Sequence, residues 1–242
     1  MSTATMQRIR LLARVLRQRT RLLARVGPAW ALCAVVQTGW AAPDLSVVAL
    51  GNSITRHGPA SSIKWMGDWG MAATSAQTDY VGHLVRLLSG DAQAPVRAQR
   101  FNLAALEAQP RDVRAGLEQL AAGRASQLLV VELGDNVGPK SLADFEPAYA
   151  RLLASAKPDK GLLVCLSTWW QSAAVDAIIE PACRRAGGRF VDIGDIHRKP
   201  GRSGSGATGI TDPGVLRHPG DAGMAEIAER IHQAWRPSKA AP

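Results

Sequence analysis

Three short segments of this 242-residue chain carry side chains that together can cleave an acyl bond. In Val47-Val48-Ala49-Leu50-Gly51-Asn52-Ser53-Ile54-Thr55, an apolar run meets a glycine and a serine follows almost at once. A serine leaving a buried strand through a glycine turn has its hydroxyl at the sheet edge, where it can act as a nucleophile beside a base. The G-x-S-x-G elbow needs glycine where Thr55 stands, so that arrangement fits poorly, and Ser53 taken alone reads first as a turn or cap residue, as most serines after strands do. The second segment is Val130-Val131-Glu132-Leu133-Gly134-Asp135-Asn136-Val137. An asparagine amide after a strand can donate to a developing oxyanion, alongside the Ser53 backbone N–H, or can make an Asx turn. The third runs from Thr211-Asp212-Pro213-Gly214-Val215-Leu216-Arg217 through His218-Pro219-Gly220-Asp221, and sets a candidate general base, His218, before a closing helical segment.

Such residues serve one reaction only if the fold brings them to one rim. From Leu45 onward, short β-branched runs alternate with longer segments of helical period, which predicts βαβ units around a parallel sheet. Five strands are expected at Leu45 to Leu50, Val96 to Leu103, Gln127 to Leu133, Gly161 to Ser167 and Arg189 to Ile193. Apolar residues three and four apart predict helices over Asp79 to Leu88, Arg111 to Ala122, Ser141 to Ala156 and Ser172 to Ala186. A last helix runs from Asp221, its expected cap, to Trp235. The result is a three-layer α/β/α sandwich in which sites lie beyond the carboxyl ends of the strands. Arg56 to Thr78 reads as a long loop over that edge, and Gly201 to Gly209 as a second loop.

Nucleophile first, amide donor in the middle and His-Pro before the last helix is an order that strongly resembles the SGNH, or GDSL-like, hydrolases. The likeness spans the chain from Gly51-Asn52-Ser53 through Gly134-Asp135-Asn136 to His218-Pro219. It implies a flavodoxin-like five-stranded parallel sheet, an esterase or lipase activity and no cofactor. By resemblance Ser53 attacks the ester carbonyl, His218 takes its proton, and the Ser53 N–H with the Asn136 side chain forms part of the oxyanion hole. Three positions depart from the family pattern. Asn52 stands where aspartate is usual; Glu107 stands where a glycine normally supplies an oxyanion N–H; Val215 stands where an aspartate normally precedes the histidine. The Glu107 backbone N–H can still donate. Asp212 would complete a triad if an enlarged turn brought it to His218; otherwise a backbone carbonyl orients the ring in a Ser-His dyad.

Trp65 and Trp69 lie in the long loop and Trp169 and Trp170 follow the fourth strand. Aromatic faces beside a serine site suit sugar rings, so an acylated carbohydrate is the expected substrate, with loop packing as the plainer explanation. A lysophospholipase or thioesterase would use the same apolar surface, and a non-catalytic carbohydrate-binding relative of the fold stays open. His83 and His232 fall within helices, whereas His57 and His197 follow strands and can line the cleft. None has ligand-spaced partners, and no metal is expected. Cys165 and Cys183 sit in apolar segments, as buried packing or as one disulfide.

The formal charge of +9 raises nucleic acid as a partner, but the cations cluster at the front. Arg8, Arg10, Arg14, Arg17, Arg19, Arg21 and Arg25 account for all but +2 of it, and a nearly neutral body lacks the concerted cations that phosphate backbones require. Behind them Val26 to Val36 is apolar but short for a bilayer span, and small residues follow up to Ala42. This order predicts a secretory leader cleaved near Ala41 and Ala42, hence an exported protein with one catalytic domain over 43–242; an uncleaved basic amphipathic anchor is the alternative.

Overall fold

Runs of Val, Leu and Ala with no polar interruption favour strands buried on both faces, and the amphipathic segments between them cover those faces. The computed structural model describes residues 45–111, 116–204 and 210–236, so the predicted leader lies outside the described residues. β1 (Leu45–Gly51), β2 (Val96–Asn102), β3 (Leu128–Glu132), β4 (Leu162–Leu166) and β5 (Arg189–Val191) form one parallel sheet in the order β2-β1-β3-β4-β5. The described helices are α1 (Tyr80–Ala92), α2 (Ala104–Ala108), α3 (Leu117–Ala125), α4 (Leu142–Ala156), α5 (Ala173–Arg185), α6 (Pro213–Leu216) and α7 (Asp221–Trp235). This is the expected α/β/α sandwich with all five expected strands.

The period of two in β1 divides the core. Val47 and Ala49 pack with Leu84 and Leu88 of α1 and Ile227 and Ile231 of α7, while Val48 and Leu50 pack with Phe145 and Tyr149 of α4 and Ile179 of α5. Full burial of one such side chain contributes about 1.5–3 kcal/mol, so a one-residue slip in β1 would forfeit both layers. The chain moves outward from β1 to β2 and then crosses to β3 on the other side, and this reversal opens a crevice at the carboxyl ends of β1 and β3. Ser53 and Asn136 lie just beyond those two ends.

Several expectations are corrected. The helix expected from Arg111 begins at Leu117 after Gly116, and residues 112–115 lie outside the description. The short helices α2 and α6 were too brief for a periodic signal. Gly220, not Asp221, occupies the cap position of α7; the Asp221 carboxylate instead accepts from the Thr74 N–H and hydroxyl at 2.8 and 2.7 Å, tying the long loop to this helix. That loop folds back on itself through bridges between His57 and Trp69 and between Ala60 and Trp65. Of the glycine-dense stretch, residues 205–209 lie outside the description, and Gly204 donates to the His218 carbonyl at 2.9 Å. Cys165 on β4 and Cys183 on α5 form a disulfide, so the pairing alternative holds over simple packing. Among the described residues no helix is long and apolar enough to cross a membrane.

Candidate active site

Gly51 closes β1 in a space that admits no side chain: a Cβ there would lie 2.0 Å from Thr55 Oγ1 and 2.6 Å from the Glu132 carbonyl. The chain then turns tightly. Thr55 and Arg56 N–H groups donate to the Asn52 carbonyl at 3.2 and 3.0 Å, and the Asn52 side-chain oxygen accepts from Ile54 N–H at 2.9 Å. Asn52, Ile54 and Thr55 are buried while Ser53 is half-buried at the apex. The turn thus presents the serine hydroxyl, as the glycine and serine spacing implied.

Ser53 Oγ lies 2.8 Å from His218 Nε2, across 165 residues of sequence. His218 Nδ1 lies 2.8 Å from the Gly214 carbonyl oxygen, which can only accept. The Nδ1 hydrogen is therefore fixed by its partner, Nε2 carries the lone pair, and the serine hydroxyl donates to it. Burial holds the imidazole below its ordinary range, with the charges of His57 and Arg217 adding to the effect and hydrogen bonds to Gly214 and Val215 opposing it. The ring is neutral and basic at pH 7.

Asp212 does not reach this ring. Its Oδ1 accepts from Gly214 and Val215 N–H groups at 2.8 and 3.0 Å, capping α6 ahead of Pro213. Two orphan donors at a helix start hold the carboxylate locally, and the same short helix turns the Gly214 carbonyl toward His218. Of the two arrangements left open, Asp212 in a triad is corrected, and the histidine rests on a backbone carbonyl.

Glu107 lies on α2, where the Leu103 carbonyl accepts from the Leu106 N–H at 2.9 Å and the Glu107 N–H has no protein acceptor among the described residues. Its carboxylate, fully buried, accepts from Asn52 Nδ2 at 3.1 Å, from Asn136 Nδ2 at 2.6 Å and from the Gly134 N–H. Gly134 has a φ of 133°, and a Cβ would press on Thr168 and Val175 at 2.8 Å, so only glycine lets the loop pass. Asn136, through one amide hydrogen, is thereby clamped beside the nucleophile turn. The Ser53 N–H has no protein acceptor among the described residues.

Beneath this clamp lie two carboxyl groups that the sequence reading did not single out. Glu132, alone and polar at the end of an apolar strand, accepts from Thr55 Oγ1 at 3.0 Å and from Asn52 N–H at 3.3 Å. Asp135 accepts the Trp170 N–H at 3.1 Å. Burial raises all three carboxyls, with Asp135 pushed up to about 7 and Glu132 raised further by the negative charges of Asp135 and Glu107. Among the described residues Glu132 Oε1 and Asp135 Oδ2 meet no hydrogen-bond donor. A lone carboxyl in an apolar strand end was the available signal.

The tryptophans divide. Trp65 and Trp169 are buried, at 2% and 0% exposure, with their indole N–H groups donating to the carbonyls of His57 and Arg217. Trp69 packs edge-on to Trp65 at 5.7 Å and donates to the Ala73 carbonyl. Buried Trp65 and Trp169 brace loops, so the expectation that these two bind substrate is corrected in favour of loop packing. Trp69 and Trp170 are both half-buried, and Trp170 stands against the base, its ring 5.3 Å from His218 at 86°. His197 Nδ1 donates to the Gly194 carbonyl at 2.7 Å and its ring packs on Trp169, and His232 pairs with Asp91 at 2.7 Å.

The sequence matches no protein-family profile and no curated protein. Solved structures are similar in fold. The chain resembles a two-domain esterase active on acetylated mannans with a TM-score of 0.55 at 18% identity, covering 82% of this chain and 53% of that one. It also resembles a protein described as a GDSL-like lipase from Bacteroides uniformis, at 0.52 and 16% identity, over 78% of this chain and 94% of the other. The psychrotrophic esterase EstA from Pseudoalteromonas sp., in a structure inhibited by monoethylphosphonate, matches at 0.50 and 12%, over 79% and 96%. The fold is that of the SGNH, or GDSL-like, hydrolases.

Proposed function

We propose that this chain is a serine ester hydrolase working through an acyl-enzyme. The carrying observation is the 2.8 Å contact between Ser53 Oγ and an unprotonated His218 Nε2 whose other nitrogen is tied to Gly214. Ser53 adds to the ester carbonyl as His218 takes its proton; His218 returns that proton to the departing alcohol, and water then cleaves the acyl-serine by the same relay. The Ser53 N–H and the second amide hydrogen of Asn136 stabilise the tetrahedral oxyanion.

Glu107 acts through Asn136, as a positioning carboxylate. Glu107→Gln replaces one acceptor oxygen with an amide that meets a donor face to face. On a short chromogenic ester we expect kcat to fall by roughly 10- to 100-fold with little change in KM. An unchanged kcat would remove Asn136 from the oxyanion role. Asp212→Asn, by contrast, is expected to hold kcat within about three-fold, because the carboxylate only caps α6; a triad aspartate would cost about 10⁴-fold. Its measurable effect is on thermal stability, at about 1 kcal/mol.

The substrate proposed is an O-acylated, chiefly O-acetylated, carbohydrate. Support comes from the fold shared with an esterase active on acetylated mannans, and from Trp170 beside the base. Among the described residues Met66 is the one large apolar side chain left largely exposed, and a long acyl chain would need a more extended apolar surface. Hydrolysis rates of p-nitrophenyl acetate against longer acyl esters test this: preference for long chains would discard the carbohydrate reading. The disulfide supports the proposal that the enzyme works in an oxidising, extracytoplasmic compartment.

A further inference from the structure

Arg217 precedes the base and is exposed. Its guanidinium carbon stands 5.9 Å from the centroid of the Trp170 ring, and that ring in turn meets His218 edge to face. Both halves of the stack are anchored by their backbones. The Trp170 N–H donates to half-buried Asp135 at 3.1 Å, and the Arg217 carbonyl accepts from the Trp169 indole at 3.2 Å. A guanidinium laid on an indole keeps its hydrogen-bond donors turned outward along the ring plane.

Other arginines near this region have partners, Arg198 on the Gln171 side-chain oxygen among them. Arg56, three residues after the nucleophile, is held by Asp68 at 2.7 Å, and Arg202 and Arg230 share Glu226. Arg217 has no hydrogen-bonding or ion-pair partner among the described residues, and Asp212 is committed to its helix cap. Residues 205–209, Ser-Gly-Ala-Thr-Gly, bring no carboxylate. An unneutralised cation beside the base works against the imidazolium that must form during acylation, and Arg217 is one cause of the depressed basicity of His218. An anion arriving with the substrate would cancel that penalty and gain a flat, preoriented donor pair.

We propose that Arg217, seated on Trp170, is a specificity residue that recognises an anionic group, most simply a carboxylate, on the ester this site cleaves. This deepens, and rests on, the ester-hydrolase reading above. The carboxylate can belong to the alcohol half, as in an O-acetylated uronic acid, or to the acyl half, as in the hemiester of a dicarboxylic acid.

Matched substrates distinguish the two sources. O-acetylated methyl galacturonoside against the corresponding galactoside varies only the alcohol half; p-nitrophenyl hemisuccinate against p-nitrophenyl butyrate varies the acyl half. At low ionic strength kcat/KM for the anionic member of one pair should exceed its neutral partner by about five- to ten-fold, and the gap should narrow in about 0.5 M salt. In Arg217→Gln the anionic ester should lose more than the neutral one, bringing the pair to parity, while Arg217→Lys keeps part of the preference. Parity of both pairs in the wild type, or equal losses on charged and neutral esters in Arg217→Gln, overturns the proposal. Binding of the unesterified methyl galacturonoside and of succinate, read by tryptophan fluorescence in Ser53→Ala, separates the claims. Arg217-dependent binding without any Ser53-dependent turnover upholds anion recognition and overturns the hydrolase reading; Ser53-dependent turnover without Arg217-dependent preference does the reverse.

Discussion

Replacing Ser53 by alanine is expected to lower kcat on any accepted ester by about 10⁴- to 10⁶-fold, with substrate binding nearly intact. The hydroxyl is the one group at the turn apex placed against the base, at 2.8 Å, and no neighbouring side chain substitutes for it. Without Oγ no acyl-enzyme forms, and water would have to attack from a position the turn does not prepare. The protein should still fold, since Ser53 is half-buried and its structural contact is the backbone carbonyl accepting from Met71 N–H at 2.8 Å. A fluorophosphonate probe should label wild type at Ser53, as peptide mass mapping would show, and leave the alanine variant unlabelled. Full activity in folded Ser53→Ala, or labelling of another serine, would sink the mechanism.

The second large effect belongs to His218. His218→Gln should cost about 10⁴-fold in kcat, because an amide at that place can hydrogen-bond the serine but cannot take its proton. The wild-type pH profile carries an independent signature. The imidazole is held below the ordinary histidine value of 6.5 by burial, and no carboxylate raises it, since Nδ1 faces the Gly214 carbonyl. A lowered pKa means that the free base is already present in mildly acidic solution. The acid limb of kcat/KM should therefore rise through an inflection below 6.5 and stay flat across neutrality. An inflection above pH 7 would instead demand an anionic partner for the imidazolium, and with it a rearranged Asp212.

The two results are linked through one structural choice, the use of a carbonyl where an aspartate is more familiar. A carbonyl fixes the tautomer as well as a carboxylate does, but stabilises the imidazolium less, which matches a base poised at lower pH. It also explains why an uncompensated Arg217 next to His218 matters: with no negative charge behind the ring, a positive charge beside it is felt more strongly.

Much of the architecture was readable from residue order alone. The alternation of apolar runs with helical periods identified five parallel strands and the long helices, and placed Ser53 and Asn136 beyond strand ends that the right-handed crossover rule brings to one rim. Elements shorter than two turns were not readable, because four or five residues carry too little periodicity. The helices over Ala104–Ala108 and Pro213–Leu216 show what that omission cost, since they place the Glu107 carboxylate and hold Asp212 as a cap.

By itself, then, the order of residues along the chain determined which elements exist and which serine, histidine and asparagine meet at the sheet edge. Local propensity, period and handedness act over neighbouring residues and leave little choice at that scale. Tertiary structure alone decided which partner each polar group takes. Asp212 serves a helix start, the Gly214 carbonyl serves His218, Glu107 clamps Asn136, Cys165 joins Cys183, and two of four candidate tryptophans turn inward. Every one of these is a competition among donors, acceptors and buried surfaces for which distance and desolvation choose the winner, and those quantities exist only once remote segments have packed.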